Sequence, residues 1–203
     1  MTTFLRLVTL LVAALVAAGC SSDAGDPTVT PPSETAAAPA PTDESSETEP
    51  DGTQAEGLEG VKTYRDLSQD HVPGPVSYPQ TPPVGGEHAD QWLNCGLYRE
   101  PVASENAVHS MEHGAVWITY GADVDPESLR SFAEQEYVLI SPFEGLPSPV
   151  VASAWGVQLT LDGPDDPRLP LFVETFAAGP QTPEPGAPCD GGLGEPEGGA
   201  ASV

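Results

Sequence analysis

The chain has 203 residues, with 6 Lys and Arg against 31 Asp and Glu, a formal charge of −25 and a pI near 4.1. Binding nucleic acid needs clustered cations, which this composition excludes, and an anionic membrane surface would repel the folded part. Gly and Pro together supply 45 residues, concentrated in particular stretches, so one ordinary domain with loose ends is expected.

Residues 1–20 read MTTFLRLVTLLVAALVAAGC. The largely apolar run from Leu7 to Ala18 spans roughly 18 Å as a helix, too short for a ~30 Å hydrocarbon core. Its length and small-residue end suit a secretory leader over residues 1–19. Ala17-Ala18-Gly19-Cys20 resembles the lipobox of bacterial lipoproteins, which implies cleavage before Cys20 and its thioether lipidation. The alternative is a plain signal peptide with a chance cysteine. Residues 21–60 hold ten acidic residues, six Pro, six Thr and no aromatic, and only Val29 and Leu58 are large and apolar. Such a segment cannot bury enough surface to offset its ordering entropy. Residues 20–60 are therefore expected to be a disordered tether of roughly 35 Å r.m.s. span. That places the domain outside the cytoplasm, anchored to the outer face of the cell membrane.

The folded part is expected over residues 61–190. Tyr64 to Glu87 is dense in Pro and Gly and reads as a long loop wrapped on the domain. Ala115 to Tyr120 (AVWITY) is a β-branched and aromatic run of strand length. Asp125-Pro126 then opens a short helix, with Asp125 as its N-cap and Leu129, Phe132 and Ala133 on one face. Tyr137 to Ser141 and Val150 to Leu161 read as two further strands. Asp166-Pro167 begins a second helix, with Leu169, Phe172, Val173 and Phe176 at helical spacing. The expected fold is α+β: a small single domain, mostly antiparallel sheet with two helices on one face. Residues 191–203, rich in Gly and Glu, read as a flexible tail.

With Cys20 lipidated, Cys95 and Cys189 remain, and in an exported domain they most simply form a disulfide. Closing a loop of that length adds roughly 4–5 kcal/mol in the chain-entropy model. The alternative is a thiolate metal ligand or redox pair.

All four histidines, His71, His88, His109 and His113, fall within 43 residues. In HSMEHG the imidazoles of His109 and His113 stand at i and i+4, which on a helical turn puts both within reach of one metal ion. Met111 between them adds a soft thioether, which with imidazole favours copper. His88, after Gly85-Gly86, supplies a third nitrogen, while Glu112 and His71 stand behind these as supporting groups. The expected ligands are thus His88, His109, His113 and Met111, for copper or zinc. The bland alternative is a polar cluster that is structural, with Met111 as core filler. A third reading notes that His109 to His113 matches the HxxEH zinc-peptidase motif, with Glu112 activating water and Glu174 as distant ligand.

Two runs, TPPVGGEHADQWLNCGLYREPVASENAVHSMEHGAVWITY (Thr81 to Tyr120) and SPFEGLPSPVVASAWG (Ser141 to Gly156), resemble the domain-of-unknown-function family 3105 of exported bacterial proteins. The matching positions are Pro82, Pro83, His88, Trp92, Gly96, Tyr98, His109, Glu112, His113 and Gly114, and the likeness covers most of residues 64–178. The resemblance implies a shared fold and a His/Glu/His site, and it supports the histidines better than Met111. The expectation is therefore a tethered envelope lipoprotein that carries or senses a transition metal and is not an enzyme. The alternatives are a non-catalytic envelope interaction domain or a zinc hydrolase. Its partners would be the membrane, through the lipid, and a metal ion; no protein partner is indicated.

Overall fold

The structure is a computed structural model and describes residues 57–198. The expected leader, Cys20 and the tether up to residue 56 lie outside the described residues, as do residues 199–203. Among the described residues no helix is long and apolar enough to cross a membrane.

The strands are β1 (Lys62–Thr63), β2 (Gly96–Leu97), β3 (Val116–Tyr120), β4 (Val138–Pro142), β5 (Val150–Ala154) and β6 (Val157–Leu161). The helices are α1 (Ser104–Glu112), α2 (Arg130–Ala133), entered through a 3-10 turn at Pro126–Leu129, and α3 (Arg168–Phe176). The strands form one sheet in the order β1-β6-β5-β3-β4-β2. The α+β domain is therefore as expected. The sheet is mixed: β3 pairs in parallel with β4, and β4 with β2, while the pairings of β3 with β5, β5 with β6 and β1 with β6 are antiparallel.

β3 and β4 are buried on both sides, which is why their sequences read as continuous apolar runs rather than alternating ones. Alternate residues serve two cores. Val116, Ile118, Val138 and Ile140 face a core completed by Leu129, Ala133, Leu169, Phe172 and Val173 from α2 and α3. Trp117 and Leu139 face a second core with Ala107, Val108 and Met111 of α1. The two expected helices do share a face; a third, α1, covers the other.

Three further boundaries differ from expectation. The run Val150 to Leu161 is a hairpin, not one strand, because Trp155-Gly156 turn the chain between Ala154 and Val157. Gly156 is needed there: its φ is +71°, and a Cβ would stand 2.9 Å from the Tyr64 carbonyl oxygen. Leu58, assigned to the tether, is buried in the first core. Residues 191–198 of the expected loose tail fold back instead. Leu193 bridges to Leu93 and Glu197 to Leu97, covering the β2 edge of the sheet.

Few cations serve this domain, and three of them fasten chain ends. Arg168 donates to the Glu59 carbonyl and pairs with Asp166. Arg99 and Arg130 both pair with Glu127 and with Glu197. Their guanidinium hydrogen bonds hold the Glu127 and Glu197 carboxyls down from the ordinary 4.5 to about 2.

Two predictions follow from this arrangement. Phe172→Ala, in the core away from α1, is expected to cost about 3–5 kcal/mol in chemical denaturation. Because Glu127 and Glu197 titrate lower in the folded chain than unfolded, their contribution is present above about pH 4.5 and is lost as the pH falls toward 2. The protection of the mutually bonded Leu97 and Glu197 amides against hydrogen exchange, relative to the intrinsic rate at each pH, should fall over that window, and in molar salt at neutral pH. Protection that stays constant would show that the tail is held by its backbone bonds alone.

Candidate functional site

The site is built on α1, and the helix stops sharply. The amide of Gly114 donates to the Met111 carbonyl and that of Ala115 to the Ser110 carbonyl, the bonding pattern of a Schellman cap with glycine just past the end. Gly114 has φ +112°, and a Cβ would approach the Ala178 Cα to 3.0 Å. At 100° per residue, Ala107, Val108 and Met111 fall on one side of the helix and pack in the core. His109 and Glu112, at i and i+3, share the opposite side.

A second segment meets that side. The Pro/Gly-rich loop folds so that His71 and His88 form a parallel bridge, with the Val72 amide donating to the His88 carbonyl and the His88 amide to the Asp70 carbonyl. Glu105 of α1 pins the loop by accepting from the Val76 amide at 2.8 Å. The result brings His71, His88, His109 and Glu112 together, with one ligand atom of each within 4.8 Å of all the others. His88, His109 and Glu112 are buried, whereas the His71 side chain is 45% exposed and forms the mouth.

Backbone carbonyls orient the buried rings. The Nδ1–H of His88 donates to the Gly86 carbonyl at 2.8 Å, and that of His109 to the Ala89 carbonyl at 2.8 Å. Since a carbonyl only accepts, both rings carry a proton on Nδ1, which leaves Nε2 of each as the nitrogen with a free lone pair. The Nε2 of His88 lies 2.8 Å from Glu112 Oε2, and that of His71 lies 3.7 Å from the same oxygen. Burial pushes His109 down to about 4, and the neighbouring imidazoles act in the same direction against the Ala89 hydrogen bond. His109 is thus neutral at pH 7, as a metal ligand must be. Two indoles close the sides: Trp155 stands 5.8 Å from the His88 ring, and Trp92 5.7 Å from that of His109.

Glu112 sets the electrostatics. It is 2% exposed and is the last residue of α1, so the negative end of the helix dipole adds to its own charge. Neutral His88 and ionised Glu112 would also place two lone pairs face to face at 2.8 Å. The arrangement needs a shared proton or a cation.

Of the ligands expected from sequence, His88 and His109 are in the cluster, and both groups placed behind them, Glu112 and His71, join it directly. Met111 turns into the core, because it lies about 200° around the helix from His109. His113 is the C-cap residue. Its Nδ1–H donates to the Pro188 carbonyl at 2.7 Å, and its ring stands 4.6 Å from that of His109, outside the group of four. Of the HxxEH residues, His109 and Glu112 lie on α1 and His113 is its C-cap, and Glu112 bonds His88 instead of standing free. Glu174, meanwhile, is exposed on α3, across the sheet. Cys95 and Cys189 are disulfide-bonded, with Cα atoms 5.4 Å apart. Cys20 lies outside the described residues. Sequence reasoning overlooked Glu184, whose Oε2 is 3.5 Å from His113 Nε2, and the Trp155 indole; Trp92 is singled out only by the family resemblance. Nothing local in the sequence signals these long-range neighbours.

The family described as "Protein of unknown function (DUF3105)" matches residues 71–191. The chain belongs to this family. The matched span opens on His71 and includes His88, His109, Glu112, His113, Glu184 and both disulfide cysteines. Neither a curated protein nor a solved structure matches the chain, so the DUF3105 assignment brings no activity with it.

Removing the carboxylate tests whether the cluster holds the fold. In metal-free buffer Glu112→Ala leaves the buried His88 nitrogen without a partner. It is expected to cost about 3–5 kcal/mol by denaturant titration. A cost below about 1 kcal/mol would mean that the pair contributes little to folding.

Proposed function

We propose that this DUF3105 domain binds one divalent transition metal ion, zinc or copper, through His71, His88, His109 and Glu112, and serves as an envelope metal carrier or sensor. The observation that carries the reading is that three imidazoles and the buried Glu112 carboxylate each bring a ligand atom within 4.8 Å of the others, with the His88 and His109 rings locked by their Nδ1–H bonds to backbone. Metal-binding imidazoles are ordinarily held in this way by a partner on the other nitrogen.

The donor set fits such an ion. Ligands at about 2.0–2.1 Å from zinc in a tetrahedral shell lie roughly 3.4 Å apart. The His71 to Glu112 spacing is already 3.7 Å, and the widest spacing in the group, 4.8 Å, exceeds that of a tetrahedral shell by about 1.4 Å. With Met111 turned away, the donors are nitrogen and oxygen, which suit zinc or Cu(II) better than Cu(I). The acidic surface attracts cations to the mouth. In this reading Cys20 carries the lipid that anchors the protein to the outer face of the membrane, and the acidic segment holds the domain away from it.

A second reading rests on the 2.8 Å bond between His88 and Glu112, which is closed without an ion. In that case the cluster is structural and the domain binds an envelope partner.

Elemental analysis by mass spectrometry of the full chain, after metal loading and dialysis, separates the two. One retained equivalent is expected, and His109→Ala should weaken it by about a hundredfold or more. Free metal at a hundred times Kd should add about 2.7 kcal/mol of stability. No retained metal, with a melting temperature indifferent to zinc, would overturn the metal reading in favour of the structural one.

A further inference from the structure

The buried group of four leaves out His113 and Glu184, and these two form a distinct arrangement beside it. The His113 side chain is only 5% exposed and that of Glu184 is 52% exposed. His113 repeats the device seen at His88 and His109: its Nδ1–H donates to a backbone carbonyl, that of Pro188. Its Nε2 therefore presents a lone pair, and the atom it faces is Glu184 Oε2 at 3.5 Å. That spacing is too long for an N–H···O hydrogen bond, which runs to about 3.2 Å. It matches the roughly 3.4 Å between neighbouring ligands of a tetrahedral zinc ion.

Both partners are held in place. Glu184 is fixed at its backbone, where its amide donates to the Glu112 carbonyl at 3.1 Å. The segment carrying it is tied down by Tyr137, which donates to the Ala187 carbonyl, and by the Cys95–Cys189 bond. Trp92 packs 4.7 Å from the His113 ring and donates to the Asp190 carbonyl. The rings of His113 and His109 are 4.6 Å apart, so this pair abuts the buried cluster at the opposite end from the His88–Glu112 bond.

We propose that His113 and Glu184 form a second, solvent-facing position for a divalent transition metal, adjoining the buried one across His109. The inference rests on the metal reading of the buried cluster. Only two protein ligands serve this position, with water completing the shell, and a dication already in the buried cluster repels a second. The outer position is thus the weaker of the two and exchanges faster. It is a place where a second ion can be held beside the buried shell.

The test is zinc stoichiometry of the metal-free full chain, by equilibrium dialysis with elemental analysis over rising free zinc. Wild type should show one tight and one weaker equivalent. Glu184→Gln keeps the backbone bond to Glu112 and should remove the weaker equivalent, with the tight one unchanged within about twofold. His113→Ala should do the same, and Glu112→Gln should weaken the tight equivalent first. A single equivalent in wild type, or a second that survives Glu184→Gln as general carboxylate binding would, overturns the outer position and leaves the buried one standing. No zinc bound at any concentration overturns both.

Discussion

A carboxylate buried at the wrong end of a helix is the constraint around which this domain is arranged. Glu112 is almost inaccessible to water, and an ion taken out of water costs several kcal/mol even after relaxation. Placing it at the C-terminus of α1 adds the unfavourable end of the helix dipole. Exposed on a surface, such a residue would be unremarked. Here it must be compensated by positive charge, and the groups within reach are imidazoles, not Lys or Arg. Imidazole is the one side chain that accepts either a proton or a metal ion in that role. On the proposed metal reading, an ion would take the place that a shared proton otherwise holds between His88 and Glu112.

The rest of the architecture follows from having to hold that cluster without many charges. The long loop from Tyr64 and the C-terminal segment from Thr182 have little regular structure, yet each is fastened by specific bonds: Glu105 to Val76, Tyr137 to Ala187, the Cys95–Cys189 disulfide, and the Arg99 and Arg130 pairs with Glu197. The sheet and the core on the α2 and α3 side provide rigidity that the loops lack. Backbone carbonyls of Gly86, Ala89 and Pro188 then aim three imidazoles. Carbonyl acceptors do this without adding charge, so the ring tautomers are fixed while the net charge of the site is left to Glu112, the imidazoles and any ion.

How far this was legible in the sequence differs from residue to residue. β3, β4 and the two helices near 126–133 and 168–176 declare themselves through β-branched runs, an Asp-Pro start and apolar spacing, and the structure keeps each within a residue or two. α1 does not, because Asn106, Val108, His109 and Ser110 are indifferent helix formers and its stability comes from burying Ala107, Val108 and Met111. The i, i+4 spacing of His109 and His113 drew attention to the correct helix face but to the wrong partner, since Glu112 at i+3 is the side chain that meets His88. His71 looked peripheral because its place depends on a bridge to His88 that no local periodicity encodes. The parallel pairing of β3 with β4 was hidden in the same way: strand composition reports burial on both faces, not the direction of the neighbour.

The position of His71 bears on what kind of metal site this would be. Structural zinc sites are closed, with every ligand on well-packed backbone. In this cluster three members are buried and fixed, and the fourth is half exposed on a loop. An ion could meet His71 first, through that exposed side chain, while the backbone around it stays bridged to His88. A shell with three buried ligands and one exposed one would hold an ion without enclosing it. That asymmetry suits a protein that passes metal on or reports its level better than one that uses metal as a permanent brace.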